Sequence, residues 1–249
     1  MSIRWYLVRG IMKVLIVDDD IKIIAIVKAY LEKNEFEVIT ADDGVSGLAK
    51  ALSEQPDIIL LDVMMPGMDG FEVCRNIRHI SQVPIIMLTA SDGEMERLKG
   101  FDLGVDDYVL KPFSPREVVA RVEAVLRRTA NGSGIPTTAI TSTKANINTN
   151  ILKIGNLVLN MDNHEVLIDD APITLTPTEF DILALFMSHP GRAFSRNAIL
   201  AAVQDITFDG YDRSIDSHIK NLRKKLNADA KAPYNIKTVY GVGYKMIGE

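Results

Sequence analysis

Five short apolar runs, each followed by a helical pattern, restrict this chain more than any other feature it carries. "KVLIV" (13–17), "EVIT" (37–40), "DIILL" (57–61), "PIIML" (84–88) and "DYVL" (107–110) are short and rich in apolar residues. That is the pattern of strands buried on both faces. Residues 20–34, 43–54, 69–80, 92–103 and 114–128 read as the helices between and after them. Five strands alternating with five helices imply an α/β domain over residues 12–128, a parallel sheet covered on both sides. Ligands of such sheets gather at the carboxyl ends of the strands.

Those ends carry polar residues. Asp18 and Asp19 follow the first run, Asp62 the third, Thr89 the fourth, and Lys111 with Pro112 the fifth. Asp62 interrupts the apolar stretch from Ile58 to Met65, where a lone carboxylate needs a cation, a hydrogen-bond network or a chemical task. Three carboxylates on one rim suit a hard divalent cation such as Mg²⁺. Lys111 can pair with the charge of Asp62, and Thr89 offers a hydroxyl to an incoming oxygen. Asp62 is then poised as a nucleophile for a phosphoryl group, with cation and lysine neutralising the product. A single such Asp would read as a turn or helix cap. Five polar residues gathered at strand ends argue for a site. An alternative from another class is an aspartyl-phosphate phosphatase acting on small substrates. Such an enzyme typically needs an acid/base residue two positions after its nucleophile, and that position is Met64.

At 249 residues the chain is long enough for a second domain. Residues 129–150, "TANGSGIPTTAITSTKANINTN", have the composition of a flexible linker, with ends on the order of 25 Å apart. Charge divides unevenly around it. Residues 12–128 hold 14 Lys+Arg against 21 Asp+Glu, whereas residues 151–249 hold 11 against 12. The second part nevertheless has a basic cluster at Lys220, Arg223, Lys224 and Lys225. It opens with strand-like pieces, "NLVLN", "EVLID" and "ITLT". Next comes a helix announced by Thr176, Pro177 and Glu179 in capping-box spacing. A second helix is expected over roughly 195–203 and a third over 212–226. On that third helix Ile215, Ile219, Leu222 and Leu226 share one face. Arg213, Ser217, Lys220, Asn221 and Lys224 then fall opposite, facing outward, while His218, Arg223 and Lys225 flank the apolar stripe. A basic outward face fits a DNA major groove, although a solvated amphipathic helix shows the same pattern. "IKTVYGVGYKM" (236–246) reads as a hairpin turning at Gly241 and Gly243.

Cys74 is the lone cysteine, so no disulfide framework exists and a reducing, cytoplasmic setting is expected. No apolar run approaches the roughly 20 residues that span a bilayer. "MSIRWYLVRGIM" lacks the form of a signal peptide and reads as a short extension, with Met12 an equally good start. The four histidines have no ligand spacing, so no zinc site is expected.

"VLIVDDD", "LLDVMMPGMDG", "IIMLTA" and "DDYVLKPF" resemble the receiver domains of two-component response regulators over about residues 12–128. The resemblance implies a (βα)5 flavodoxin-like fold that catalyses only its own phosphoryl transfer and dephosphorylation. Asp62 would be the phosphoacceptor. Asp18, Asp19, Asp62 and the Met64 backbone carbonyl would hold Mg²⁺. Thr89 and Tyr108 would be a switch pair, Tyr108 packing inward on phosphorylation, and Lys111 would contact the phosphate. "LTPTEFDIL", "DRSIDSHIKNLRKKL" and "TVYGVGY" resemble the OmpR/PhoB-type winged-helix effector over nearly all of 151–249. Tyr240 stands where that wing often has Arg, as in an envelope-stress, BaeR-like branch; Gln204 and Asn221 also depart from the common pattern. Implied partners are a sensor histidine kinase, double-stranded DNA with Tyr240 among the contacts, RNA polymerase, and a second copy when phosphorylated. In that homodimer Arg97 would pair with Glu117, and Asp107 with Arg121, across a two-fold axis. Asp102 and Glu123 are both acidic where relatives often oppose unlike charges.

Overall fold

A computed structural model describes residues 11–90, 99–130, 150–203, 214–226 and 234–248. The chain divides into two compact units, Met1–Leu126 and Arg127–Glu249.

In the first unit five strands form one parallel sheet: β1 (Lys13–Val17), β2 (Glu37–Ala41), β3 (Ile58–Asp62), β4 (Ile85–Thr89) and β5 (Asp107–Leu110), in the order β2-β1-β3-β4-β5. Helices α1 (Ile21–Lys33), α2 (Gly44–Glu54), α3 (Gly70–Arg78) and α4 (Pro115–Ala130) accompany it, and residues 99–102 are helical before β5. The expected helix 92–103 lies mostly outside the described residues. α4 runs two residues beyond the expected 128. Asp20, Asp43 and Asp69 cap α1, α2 and α3, each accepting a backbone N–H from the first turn. This satisfies donors the helix itself leaves open.

Every residue of β3 and β4 is buried, which is why their runs are apolar without alternation. Val14, Ile16, Ile58, Leu60, Ile86, Leu88 and Val109 form one core with Ile24, Val27 and Leu31 of α1 and Val118, Val122 and Val125 of α4. Each such side chain stabilises the fold by about 1.5–3 kcal/mol when removed from water. Strand order reverses between β1 and β3. Their carboxyl ends therefore splay apart at the point where such sheets open a crevice.

The second unit has a four-stranded antiparallel sheet, β6 (Ile151–Ile154), β7 (Leu157–Asn160), β8 (Glu165–Ile168) and β9 (Ala171–Ile173), in sequential order. Sequence reasoning overlooked β6. It also placed the last strand too late, over 173–176, where Thr176 in fact caps the next helix. That helix is α5 (Pro177–Ser188), with α6 (Arg196–Val203) and α7 (Ser214–Leu226) after it. The expected capping box is complete: Thr176 accepts the Glu179 N–H, and the Glu179 carboxylate accepts the Thr176 N–H at 2.9 Å. A hairpin of β10 (Tyr234–Val239) and β11 (Gly243–Gly248) closes the unit. Its turn includes Gly241 at φ +74°, a left-handed conformation that glycine adopts without strain.

Candidate functional site

The β1/β3 crevice gathers the acidic residues. Asp18 directly follows β1 and is fully buried, while Asp62 ends β3 at 3% exposure. Asp19 is exposed at the mouth, and one carboxylate oxygen from each of the three lies within 4.8 Å of the others. The first turn of α1 orients this rim: Asp18 Oδ1 accepts the Asp20 N–H at 2.9 Å, and Asp20 Oδ1 accepts the Lys22 N–H at 2.8 Å. Lys111, just past β5, reaches back so that its Nζ lies 2.7 Å from Asp18 Oδ2 and 3.0 Å from Asp62 Oδ1. The cluster thus holds three carboxylates against one ammonium, a donor set of hard oxygens that fits Mg²⁺.

Burial and the charge of Asp18 push the Asp62 carboxyl above the usual carboxylate range, against the pull of Lys111. Burial alone would weaken the charge of Lys111, but its bonds to Asp18 and Asp62 outweigh that and raise its pKa. A carboxyl raised by burial, held beside a firmly charged ammonium, is the kind of perturbed pair that marks a chemical site. Met64, two residues after Asp62, exposes 64% of its surface and offers no polar side-chain atom.

Thr89 ends β4, next to β3 on the same rim of the sheet, and its carbonyl accepts the Lys111 N–H at 2.6 Å. Tyr108 is already inward, 1% exposed and edge-on to Phe101, with ring centroids 4.9 Å apart. Its room comes from Gly100, where a Cβ would overlap the phenol. The ring already occupies the inward position that the resemblance associates with phosphorylation. Cys74 is buried, its thiol pushed up to about 11 by desolvation, which suppresses thiolate chemistry.

Of the residues expected at a dimer face, Arg97 lies outside the described residues. The other three pair within one chain. Arg121, 4% exposed, sets Nη1 2.7 Å from Asp107 Oδ2 and Nη2 3.0 Å from Glu117 Oε1. α4 reaches Asp107 at the start of β5, so Arg121 finds this partner without a second copy. Interchain use of Arg121 would exchange these bonds rather than add to them.

α7 buries Ile215, Ile219, Leu222 and Leu226 as its spacing predicts. Lys220 and Lys224 are exposed and Asn221 is half-buried. Arg213 lies outside the described residues. Ser217, expected to face outward, and His218, expected beside the apolar stripe as a DNA contact, are instead both buried, His218 completely. α7 packs on α5, α6 and β10, so its first half is enclosed on more than one side. Two small serines in that half, Ser214 and Ser217, are the trace of tight packing legible in the sequence. Arg223 is also turned to the protein: Nε and Nη2 donate to the Ile236 carbonyl at 2.9 and 2.6 Å, and Nη2 to Thr238 Oγ1 at 3.1 Å. Lys225 is held by Glu179 at 2.7 Å. Tyr240 stands at the hairpin tip, 94% exposed.

Comparison with known proteins agrees with both units. The family described as "Response regulator receiver domain" matches residues 14–123, and that described as "Transcriptional regulatory protein, C terminal" matches residues 170–246. The chain is 44% identical over 234 residues to the transcriptional regulatory protein ResD of Bacillus subtilis, spanning 94% of this chain and 95% of that one. It is 42% identical over 235 residues to the alkaline phosphatase synthesis transcriptional regulatory protein PhoP of the same organism, across 94% and 96%. It is 41% identical over 234 residues to the transcriptional regulatory protein SrrA of Staphylococcus aureus, across 94% of each. A solved RitR mutant shares the fold, with TM-score 0.69 at 24% identity over 96% of this chain and all of the other. None of the described helices is long and apolar enough to cross a membrane. With an acidic crevice on a parallel sheet, a winged effector, and likeness to these regulators along nearly its whole length, the chain belongs to the OmpR/PhoB family of two-component response regulators.

Proposed function

We propose that a sensor histidine kinase phosphorylates Asp62 and that this switches the binding of the effector to DNA. One observation carries the reading: a nearly buried carboxylate, raised in pKa, lies 3.0 Å from the Lys111 ammonium and within 4.8 Å of two further carboxylates. An Asp62 oxygen attacks phosphorus of the kinase phosphohistidine. The P–N bond breaks, its electron pair stays on the imidazole nitrogen, and a proton from solvent completes the leaving ring. Asp18, Asp19, Asp62 and the Met64 carbonyl would hold Mg²⁺, which supplies positive charge to the phosphoryl oxygens when bound. Lys111 neutralises a further oxygen, and the Thr89 hydroxyl donates to another. The added group brings about 1.5 to 2 negative charges at neutral pH.

The receiver would span 12–128 and the effector 151–249, tethered by 129–150. Lys220 and Lys224 would bind phosphates, Asn221 would read a base edge in the major groove, and Tyr240 would enter the minor groove at the wing. Phosphorylated copies would dimerise through the β5–α4 face, Arg97, Asp107, Glu117 and Arg121 included, and recruit RNA polymerase in the cytoplasm. Incubation with acetyl phosphate and Mg²⁺ tests the chemistry. Here the P–O bond breaks and acetate leaves. Intact-mass spectrometry should find one phosphoryl adduct on the wild type and none on Asp62→Asn. An equal adduct on the variant would refute the assignment. Rapid turnover of small phosphoesters would favour the phosphatase instead.

A further inference from the structure

Four side chains of the effector close one network. Arg196, at the first position of α6, donates by Nε and Nη2 to the two oxygens of Asp216 at 2.7 and 3.1 Å. The Tyr244 hydroxyl of β11 donates to the same Asp216 Oδ1 at 2.7 Å. The guanidinium groups of Arg196 and Arg223 lie 5.4 and 5.5 Å from the centre of the Tyr244 ring, within cation–π range. Arg223 then grips β10 through the Ile236 carbonyl and Thr238. The hairpin is therefore tied to α7 at Asp216 and again at Arg223, two helical turns or about 10 Å farther along. One tie would leave a hinge, whereas two ties at that separation fix rotation as well as distance. The Arg196–Asp216 pair is too exposed, at 39% and 43%, for its main effect to be on stability.

We propose that Arg196, Asp216, Arg223 and Tyr244 are positioning residues that lock the angle between α7 and the β10–β11 wing, and so set the sequence preference of this regulator on DNA. The proposal rests on α7 and the wing being the elements that meet the duplex. Helix and wing enter the duplex as two linked binding modules, and the second gains effective concentration only if its geometry is held. A loosened clamp costs selective binding, which needs both at once. It spares non-selective binding, which depends on the number of phosphates neutralised.

The test uses the full chain with a duplex selected in vitro by the wild type and an unrelated duplex, titrated at several salt concentrations. Tyr244→Phe removes one hydrogen bond without changing charge, and Arg223→Met removes the second tie while keeping an apolar stem. Each variant should lower the ratio of selected to unrelated affinity, Arg223→Met by about tenfold, with the salt slope on unrelated DNA unchanged. Backbone amides of β10 and β11 should exchange faster. Wild-type ratios in both variants would overturn the proposal. So would an Arg223→Met slope flattened by about one unit with its preference intact, since that marks a phosphate contact. If Arg223→Met loses its helical circular dichroism, the decision rests on Tyr244→Phe. A wild type that binds no duplex would instead remove the reading of α7 itself.

Discussion

Replacing Asp62 with Asn should make the receiver more stable while disabling it. At an effective dielectric of 20, the 3.0 Å contact with Lys111 is worth about 5.5 kcal/mol of attraction. Asp18, whose oxygen lies within 4.8 Å, repels Asp62 by at least about 3.5 kcal/mol on the same scale. Asp19 adds a smaller, solvent-screened repulsion. These charge effects nearly cancel, and burial then decides the sign, which is why the Asp62 carboxyl titrates above its ordinary value. A carboxyl whose pKa is raised on folding binds its proton more tightly in the folded chain. Its ionised form therefore destabilises the fold at neutral pH. That penalty shrinks as pH falls through the raised folded value and is gone below the unfolded value of 3.8.

An isosteric amide escapes the penalty, so Asp62→Asn should be more stable than wild type at pH 7 in chelator, within the roughly 0.5–2 kcal/mol common for stabilising substitutions. The gap should close toward acid pH, where both side chains are neutral. Added Mg²⁺ should reverse the order, because a cation that binds the folded state stabilises the trianionic pocket more than the dianionic one. Urea unfolding of the full chain, with the receiver transition identified by hydrogen exchange at β1 and β3, measures all three. A variant less stable than wild type in chelator at pH 7 would refute the reasoning, since it would mean that Lys111 outweighs burial and repulsion together.

Three further outcomes follow from the same geometry. The phosphorylated protein should persist for minutes or longer, because exposed Met64 has no polar atom to orient an attacking water; a label half-life of a few seconds would contradict this. Lys220→Ala and Lys224→Ala should each flatten the log–log salt dependence of DNA binding by about one unit, while Asn221→Ala should change the preferred base, both measured by titration on varied sites. The unphosphorylated chain should sediment mainly as a monomer at micromolar concentration and dimerise with a phosphoryl analogue, and Arg97→Glu should prevent that.

The receiver was legible because its signal is redundant. Continuous apolar runs marked the strands within one residue at either end, and every charged residue of the crevice stood within two positions of the end of a run. The effector was read less completely, for physical reasons. β6 and β9 are short strands of a small exposed sheet, with no buried run to announce them. On α7, helical periodicity found the apolar stripe but could not reveal how many neighbours enclose the helix, so Ser217 was expected outward and His218 on DNA although both are buried. Arg223 was expected on DNA but its guanidinium is turned to the protein, because charge in a sequence does not say whether a guanidinium meets a phosphate or a carbonyl. Its partners, the Ile236 carbonyl and Thr238, lie 13 and 15 residues away and become neighbours only when the hairpin folds back. Tyr108 was identified, but its resting position depends on the missing Cβ of Gly100, a packing detail with no periodic trace.

The intrachain bridge at Arg121 changes how the proposed switch must work. If Arg121 already satisfies Asp107 and Glu117 in one chain, exchanging them for the same residues of a second copy yields little net energy. Arg121 and Asp107 are both buried, so breaking their bond without a replacement would leave an uncompensated charge, and the exchange can at best break even. Moving an equilibrium from mostly monomer to mostly dimer, 1:99 to 99:1, needs about 5.5 kcal/mol of difference between the two states. That difference must then originate at the crevice and alter the β5–α4 face mechanically. The structure contains a continuous connection for this. Lys111 Nζ binds Asp62 while its backbone N–H is held by the Thr89 carbonyl, and Lys111 directly follows β5, whose first residue, Asp107, holds Arg121. A phosphoryl group that draws Lys111 and Thr89 toward itself pulls on β5 at its carboxyl end and on Arg121 at its start. A face of exchangeable pairs is well matched to such a pull, because an energy too small to break a buried bridge outright is enough to re-pair a balanced one.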